Sequence, residues 1–154
     1  ELTVGIQPTS LRPDCNNKLW TITDGGSEDS PYGYEAPSLY CIDAESFTIE
    51  KEFKFDYGDT PSEVQLNGSK DKLYWINDDI WEMDVTADQT PVRPFLPYKG
   101  TIYYGLTVDP HSGDVYIADA IDFVQPGMIY RYSEDGELLD EFYSGVIPGA
   151  FCWK

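Results

Sequence analysis

The chain has 154 residues, enough to bury one core, and its 15% aromatic content, 13 glycines and 11 prolines favour a domain rich in strands and turns. A net charge of −18 with only ten Lys and Arg excludes the basic surface that binding to nucleic-acid phosphates requires. The apolar runs are far shorter than the about 20 residues of a membrane-spanning helix. None shows the period of about 3.6 residues of an amphipathic helix.

Short strands separated by turn signals follow one another along the chain. Residues 1–4 are predicted to be the tail of a strand, because ELTVG resembles EFYSG at 141–145. Glycines 5, 58, 100 and 145 then begin four similar segments, GIQPTSL, GDTPSEV, GTIYYGL and GVIPGAF. Their spacing is that of repeat proteins with periods of about 40 to 50 residues.

Each repeat is predicted to hold four antiparallel strands, called a, b, c and d in chain order, as in one blade of a β-propeller. The third repeat shows the pattern best, with strands at 101–108, 115–118, 128–132 and 138–143 and with the turn sequences DPHSG and SEDG. Strands b, c and d are predicted at 18–24, 38–43 and 48–56 in the first repeat and at 72–78, 80–84 and 91–97 in the second.

The predicted fold class is therefore all-β, a partial β-propeller. Its three whole blades cover 5–57, 58–99 and 100–145, with a d-strand tail at 1–4 and a closing strand a within 146–154. Three blades cannot close a ring, which typically has about four to eight. We therefore expect the remaining blades to come from a missing N-terminal part of the protein or from another chain.

Several ungapped segments resemble one known family. They are TITDGG (21–26), PYGYEAPSLY (31–40), PSEVQLNG (61–68), LYWIN (73–77), YYGLTV (103–108), VYIADAID (115–122), YRYS (130–133), DEFYSG (140–145) and VIPGAFCWK (146–154). Through them the chain is similar to the C-terminal half of the seven-bladed "surface layer protein" propellers, of the YVTN type, from gut Gram-negative anaerobes. The resemblance implies an exported cell-surface or periplasmic protein, often lipid-anchored, whose ring the C-terminal strand closes. Any signal peptide and lipid anchor would lie in the missing N-terminal part.

Side chains for catalysis or metal binding are scarce. His111, the one histidine, lies in the turn DPHSG, and neither G-x-S-x-G nor the phosphate-binding G-x-x-x-x-G-K-[ST] occurs. The resemblance implies no catalytic residues either. Cys41 and Cys152 lie among apolar residues and are predicted to be buried free thiols, whereas Cys15 lies in a turn. We therefore predict that the chain is not an enzyme and holds neither a cofactor nor a metal.

Aspartates recur where strand b ends. Asp24, Asp78, Asp119 and Asp122 would lie on one face of the ring and are candidate ligand-binding residues. Carboxylates at such a rim could bind Ca²⁺, which takes about six to eight oxygen ligands, or act as an acid/base pair. The alternative, which their regular recurrence favours, is that each aspartate begins a turn by accepting hydrogen bonds from nearby backbone N–H groups.

Five aromatic residues lie in connections or at their edges and complete the candidate ligand-binding set. Tyr32 and Tyr34 are in the long b–c connection 25–37, Tyr103 and Tyr104 lie where strand a begins, and Phe123 is in the third b–c connection. The b–c and d–a connections open on one face, where ligand sites concentrate. The alternative is that these rings only pin a long loop. The aromatic residues predicted to form the core are Trp20, Tyr74, Trp75, Trp81 and Tyr116.

The leading hypothesis is a non-catalytic cell-surface or periplasmic propeller that binds a ligand or protein partner through the b–c/d–a face. A small molecule such as a glycan or a metal chelate, captured as a nutrient, fits this hypothesis. The first alternative is a calcium-dependent propeller enzyme of the lactonase or lyase kind, with an ion near Asp78 and Asp119. The second is a structural interaction module of the cell envelope.

Overall fold

The computed structural model describes residues 1–100 and 102–153, and within them every regular element is a strand. No helix that could span a membrane occurs in these ranges. The strands are β1 (Arg12–Pro13), β2 (Lys18–Ile22), β3 (Ser38–Asp43), β4 (Ile49–Lys54), β5 (Ser62–Leu66), β6 (Lys72–Asn77), β7 (Asp79–Asp84), β8 (Tyr103–Val108), β9 (Val115–Asp119), β10 (Pro126–Tyr132) and β11 (Leu138–Val146).

The strands form three antiparallel sheets in which neighbours in sequence are neighbours in space. The first sheet has the order β1-β2-β3-β4, the second β5-β6-β7 and the third β8-β9-β10-β11. The predicted all-β class is thereby confirmed, and so is the meander of strands a to d in the first and third sheets. The blade boundaries drawn from the glycine spacing stay a prediction.

The second sheet lacks the predicted fourth strand over 91–97. Only Leu96 pairs, through reciprocal backbone hydrogen bonds with Ile80 of 3.1 and 2.9 Å. The segment contains Pro91, Pro94 and Pro97, which have no N–H group to donate to a ladder. The prediction of a strand here is wrong, because the three prolines cannot donate the hydrogen bonds of a strand ladder.

Neither chain end forms the strand that the repeats predict. Residues 1–4 and 147–153 are irregular, since an extended segment becomes a strand only when a neighbour supplies a ladder of hydrogen bonds. Residues 147–153 instead lie against the third sheet, where the rings of Phe151 and Trp153 come within 6.3 and 5.2 Å of the Tyr116 ring, measured between centroids. Thr101 and Lys154, also predicted to be in strands, lie outside the described residues.

The core consists of two apolar layers, one on each face of the second sheet. Leu73 and Trp75 of β6 join Trp20 and the rest of the first layer against the first sheet. Tyr74 and Ile76, the alternate residues of β6, join the second layer against the third sheet. Successive side chains of a strand point to opposite faces, so a strand buried on both faces needs an uninterrupted apolar run, which β6 has.

The aromatic residues predicted to form the core are all buried or half-buried. Trp20, Tyr74 and Trp75 are buried. Trp81 is half-buried and stacks on Trp75, with 6.3 Å between ring centroids, and Tyr116 is half-buried under the C-terminal segment.

All three cysteines are free thiols, one of them buried and two exposed. Cys41 is buried in the first layer, as predicted, and burial raises the pKa of its thiol to about 11. Cys152 is exposed, so its predicted burial is wrong. Its neighbours Phe151 and Trp153 both pack on Tyr116, whereas Cys152 itself remains exposed to solvent.

We expect Leu73→Ala to lower the free energy of unfolding by about 2–5 kcal/mol, because it opens a cavity in the first layer. The matched control is Leu139→Ala on β11, where the leucine is 50% exposed and the expected change is within about 0.5 kcal/mol. Urea unfolding followed by tryptophan fluorescence measures both. Equal losses in the two variants would contradict the assigned core.

We also expect two thiols to react with a disulfide reagent at about pH 8 in the native protein, and the third only after unfolding. Cys15 and Cys152 are exposed, whereas Cys41 is buried and remains almost wholly protonated at that pH. Absorbance of the released thiolate, with and without urea, counts the reactive groups. Three thiols of equal reactivity in the native state would refute this assignment.

Candidate functional site

The b–c and d–a connections lie at the same end of the sheets. In an antiparallel meander strands b and d run in the same direction, so the connections that leave them open on one side. We call this side the loop face, made of residues 23–37, 55–61, 78, 97–100, 102 and 120–125. All nine candidate residues lie on it or at its edge.

Aromatic residues on the loop face meet in pairs. Tyr34 contacts Tyr57, Tyr98 contacts Tyr103 and Tyr104 contacts Phe123, each with a steep interplanar angle and with centroids 5.5, 6.4 and 5.6 Å apart. Such edge-to-face pairs stabilise loops by about 0.5–1.5 kcal/mol each. Tyr32, in contrast, is 83% exposed.

Sequence reasoning missed two members of these pairs, Tyr57 and Tyr98. A signal was present, because each tyrosine lies one or two residues before a glycine that begins a repeat, Gly58 and Gly100. A tyrosine at this place enters the d–a connection just as it reaches the loop face.

A cleft of about 290 Å³ opens on the loop face between the second and third sheets. We call it the loop-face cleft, and its lining residues are Thr60, Ser62, Ile76, Asp78, Tyr98, Ile102 and Tyr103. Two of the nine predicted residues, Asp78 and Tyr103, therefore line one cavity. The cleft combines one carboxylate, two phenol rings and two hydroxyls with two isoleucine side chains.

Asp78 reaches the cleft because of the tight turn that joins β6 to β7. Asn77 and Asp79 pair with each other, which leaves Asp78 alone at the tip with a φ of 53°. Aspartate tolerates this left-handed conformation better than most residues. Its side chain is exposed at the rim rather than bound into the turn.

The side chains of the other three candidate aspartates accept hydrogen bonds from backbone N–H groups. Asp24 accepts a hydrogen bond of 2.8 Å from the N–H of Gly26. Buried Asp119 accepts from the N–H groups of Ile102 and Ile121, at 3.1 and 2.8 Å.

Asp122 accepts from the backbone N–H groups of Gln125 and Val124, both at 2.9 Å, and these bonds lower the pKa of its carboxyl group. These contacts match the turn-forming alternative, and a ligand-binding role for the three aspartates stays a prediction.

Residues 1–100 and 102–153 contain no group of three or more His, Cys, Asp or Glu side chains placed to hold a metal ion. The ion expected near Asp78 and Asp119 by the calcium-dependent alternative would compete with two backbone donors for one oxygen of Asp119.

No family model matches the chain, and no curated protein matches it. Solved structures do. A quinoprotein alcohol dehydrogenase-like protein from Bacteroides thetaiotaomicron matches over 88% of this chain and 33% of its own, with 16% identity and a TM-score of 0.66. A gluconolactonase from Xanthomonas campestris matches over 92% and 47%, with 16% identity and a TM-score of 0.63. An auxiliary nutrient binding protein from Bacteroides ovatus matches over 96% and 35%, with 16% identity and a TM-score of 0.59.

This likeness is one of fold: the chain is part of a β-propeller. It spans between about a third and a half of the length of these structures. The comparisons support a propeller in general, and the narrower resemblance to surface layer proteins of the YVTN type stays a prediction.

One prediction is overturned. The sequence predicted that the chain is not an enzyme, but structures with its fold include a gluconolactonase. The lack of a catalytic motif therefore does not exclude catalysis, because propeller sites are built from side chains on separate loops rather than from one contiguous motif.

We expect Asp119→Ala to lower the free energy of unfolding by about 1–3 kcal/mol, because two backbone donors lose their shared buried acceptor. Urea unfolding gives the loss, and amide hydrogen exchange shows faster exchange at Ile102 and Ile121. Asp135→Ala, in the exposed turn after β10, is the control. Unchanged exchange at both isoleucines would contradict the role assigned to Asp119.

Proposed function

We propose that this chain is the part of a β-propeller that binds a small-molecule ligand in the loop-face cleft. The observation that carries the proposal is the convergence of Asp78 with Tyr98 and Tyr103 on one concave surface between two blades. The carboxylate accepts hydrogen bonds from hydroxyl or amine groups, and the rings offer apolar faces beside it. The rigid sheets behind the cleft hold these groups in place.

The chemistry of the cleft favours a ligand with both apolar faces and hydrogen-bond donors. A glycan has this character, and so does a metal chelate with organic ligands. A polyanion is disfavoured, because the cleft carries a carboxylate and the chain a net charge of −18. Capture of such a nutrient at the cell surface or in the periplasm agrees with the resemblance and with a nutrient binding protein among the similar structures.

Catalysis in the same cleft is the second candidate function. Asp78 is an exposed carboxylate at the mouth of a concave site, which suits a general acid or base that acts on a bound hydroxyl group. Binding and turnover would then use the same residues, and analysis of the ligand after incubation separates the two functions.

We expect Asp78→Asn and Tyr103→Ala to weaken binding by about tenfold or more, since each removes a charge-assisted hydrogen bond or a stacking surface. Neutral disaccharides and a neutral ferric trihydroxamate chelate are the probes, measured by calorimetry, with Tyr103→Phe as a variant that keeps the ring. Chromatography of the recovered probe detects turnover.

The matched controls for these variants are Asp135→Asn and Tyr143→Ala, which change exposed residues of the third sheet away from the cleft. Equal affinity in all variants would rule out the loop-face cleft as the binding site.

A further inference from the structure

A second cavity lies along the inner strands and shares no lining residue with the loop-face cleft. β5 contacts both β1 and β8, so these three strands a form the inner side of the blades. The cavity has a volume of about 360 Å³, and we call it the inner groove. The side chains that give it its chemistry are Arg12, Glu63, Gln65, Thr107, Phe151 and Trp153.

Equivalent positions of the repeats supply the polar wall. Alignment of the repeats on their first glycines places Arg12, Gln65 and Thr107 at the same position of β1, β5 and β8. Their neighbours Val64 and Leu106 are in the two core layers. Alternation along a strand therefore turns Gln65 and Thr107 toward the groove, and Arg12 lines the groove beside them.

Opposite charges face the groove without pairing. Arg12 donates from Nε to Oε1 of Gln65 at 3.3 Å and from its terminal nitrogen to the carbonyl of Leu11 at 3.3 Å. Glu63 is half-buried; burial raises the pKa of its carboxyl group, and the charge of Arg12 and the side chain of Gln65 oppose that rise. Within the described residues neither side chain takes part in an ion pair.

Glu63 occupies a strained place in its strand. Its φ is 57°, and it lies in the β-bulge between Ser62 and Gln65. The aligned positions hold Ser10, Gly105 and Ala150, which are all small. Bulges redirect side chains, and a left-handed conformation is unfavourable for a residue with a Cβ. A glutamate that bears this cost and projects into a cavity points to a role beyond folding.

The opposite wall is apolar. Phe151 and Trp153 reach the groove from the C-terminal segment, and Trp153 Nε1 donates to Oγ1 of Thr107 at 3.2 Å. This bond and the contact with Tyr116 fix the indole, which stays 38% exposed.

We propose that the inner groove binds a free α-amino acid with an apolar side chain. The carboxylate of the ligand pairs with Arg12, its ammonium group pairs with Glu63, and its side chain lies against Phe151 and Trp153. A ligand with one sign of charge would meet repulsion from Arg12 or from Glu63, whereas a zwitterion satisfies both. The volume falls within the range of about 300–1,000 Å³ of small-molecule sites.

The test is calorimetric titration of the purified chain with L-phenylalanine and with two analogues that each lack one charge. N-acetylphenylalanine has no ammonium group, and phenylalaninamide has no carboxylate. We expect L-phenylalanine to bind and each analogue to bind at least about tenfold more weakly. No binding of L-phenylalanine, or equal binding of all three compounds, overturns the proposal.

Crossed variants assign the two charges. Glu63→Gln is expected to abolish the discrimination against N-acetylphenylalanine, and Arg12→Gln the discrimination against phenylalaninamide. Glu28→Gln and Arg93→Gln, which change exposed residues of the same types, are the matched controls and should behave as the parent.

Thermal unfolding without ligand confirms that the variants fold. Asp78→Asn should leave this binding unchanged, which separates the inner groove from the loop-face cleft. Full discrimination in both folded groove variants, or its loss in Asp78→Asn, refutes the assignment.

Discussion

Burial of the second sheet on both faces is the constraint on which the rest of the molecule depends. The run Leu73–Ile76 sends alternate side chains into the two apolar layers, so the first and third sheets are attached through the second and not to each other. No sheet of this size would be stable alone, because its apolar face would be exposed to water. The positions of the loop face and of the inner groove both follow from this stacking, in which β6 of the second sheet contributes side chains to both apolar layers.

Two aspartates, one half-buried and one buried, fix the shape of the loop-face cleft between the stacked sheets. Asp79 at the start of β7 accepts from the N–H of Tyr98 at 2.5 Å, and Asp119 at the end of β9 accepts from the N–H of Ile102. Tyr98 and Ile102 are thus held by carboxylates from adjacent sheets. Both residues line the loop-face cleft, so Asp79 and Asp119 help to determine its shape without lining it.

Much of this architecture could be predicted from the sequence, and the exceptions have physical reasons. Strands b and c were predictable because the apolar runs and turn residues act locally. Strand d of the second repeat was not, because Pro91, Pro94 and Pro97 lack the N–H donors that a strand needs for its ladder. The exposure of Cys152 was not predictable either, because it depends on which of its neighbours pack on Tyr116, and that contact joins residues far apart in the sequence. The candidate site was predicted at the level of a face, and its aromatic pairs emerged only when separate loops met in space.

The two-sided burial of β6 also affects how the second sheet keeps its alignment. In a strand with one polar face, a shift by one residue would bury polar groups, and this penalty fixes the register. In β6 such a shift would exchange apolar residues for other apolar residues, so polarity alone gives little discrimination. The register must then come from shape, because Trp75 and Ile76 differ greatly in size, and from the tight turn where Asn77 pairs with Asp79. The pairing of Asn77 with Asp79 therefore fixes the alignment of the central sheet, and the same tight turn presents the exposed Asp78 at the rim of the loop-face cleft.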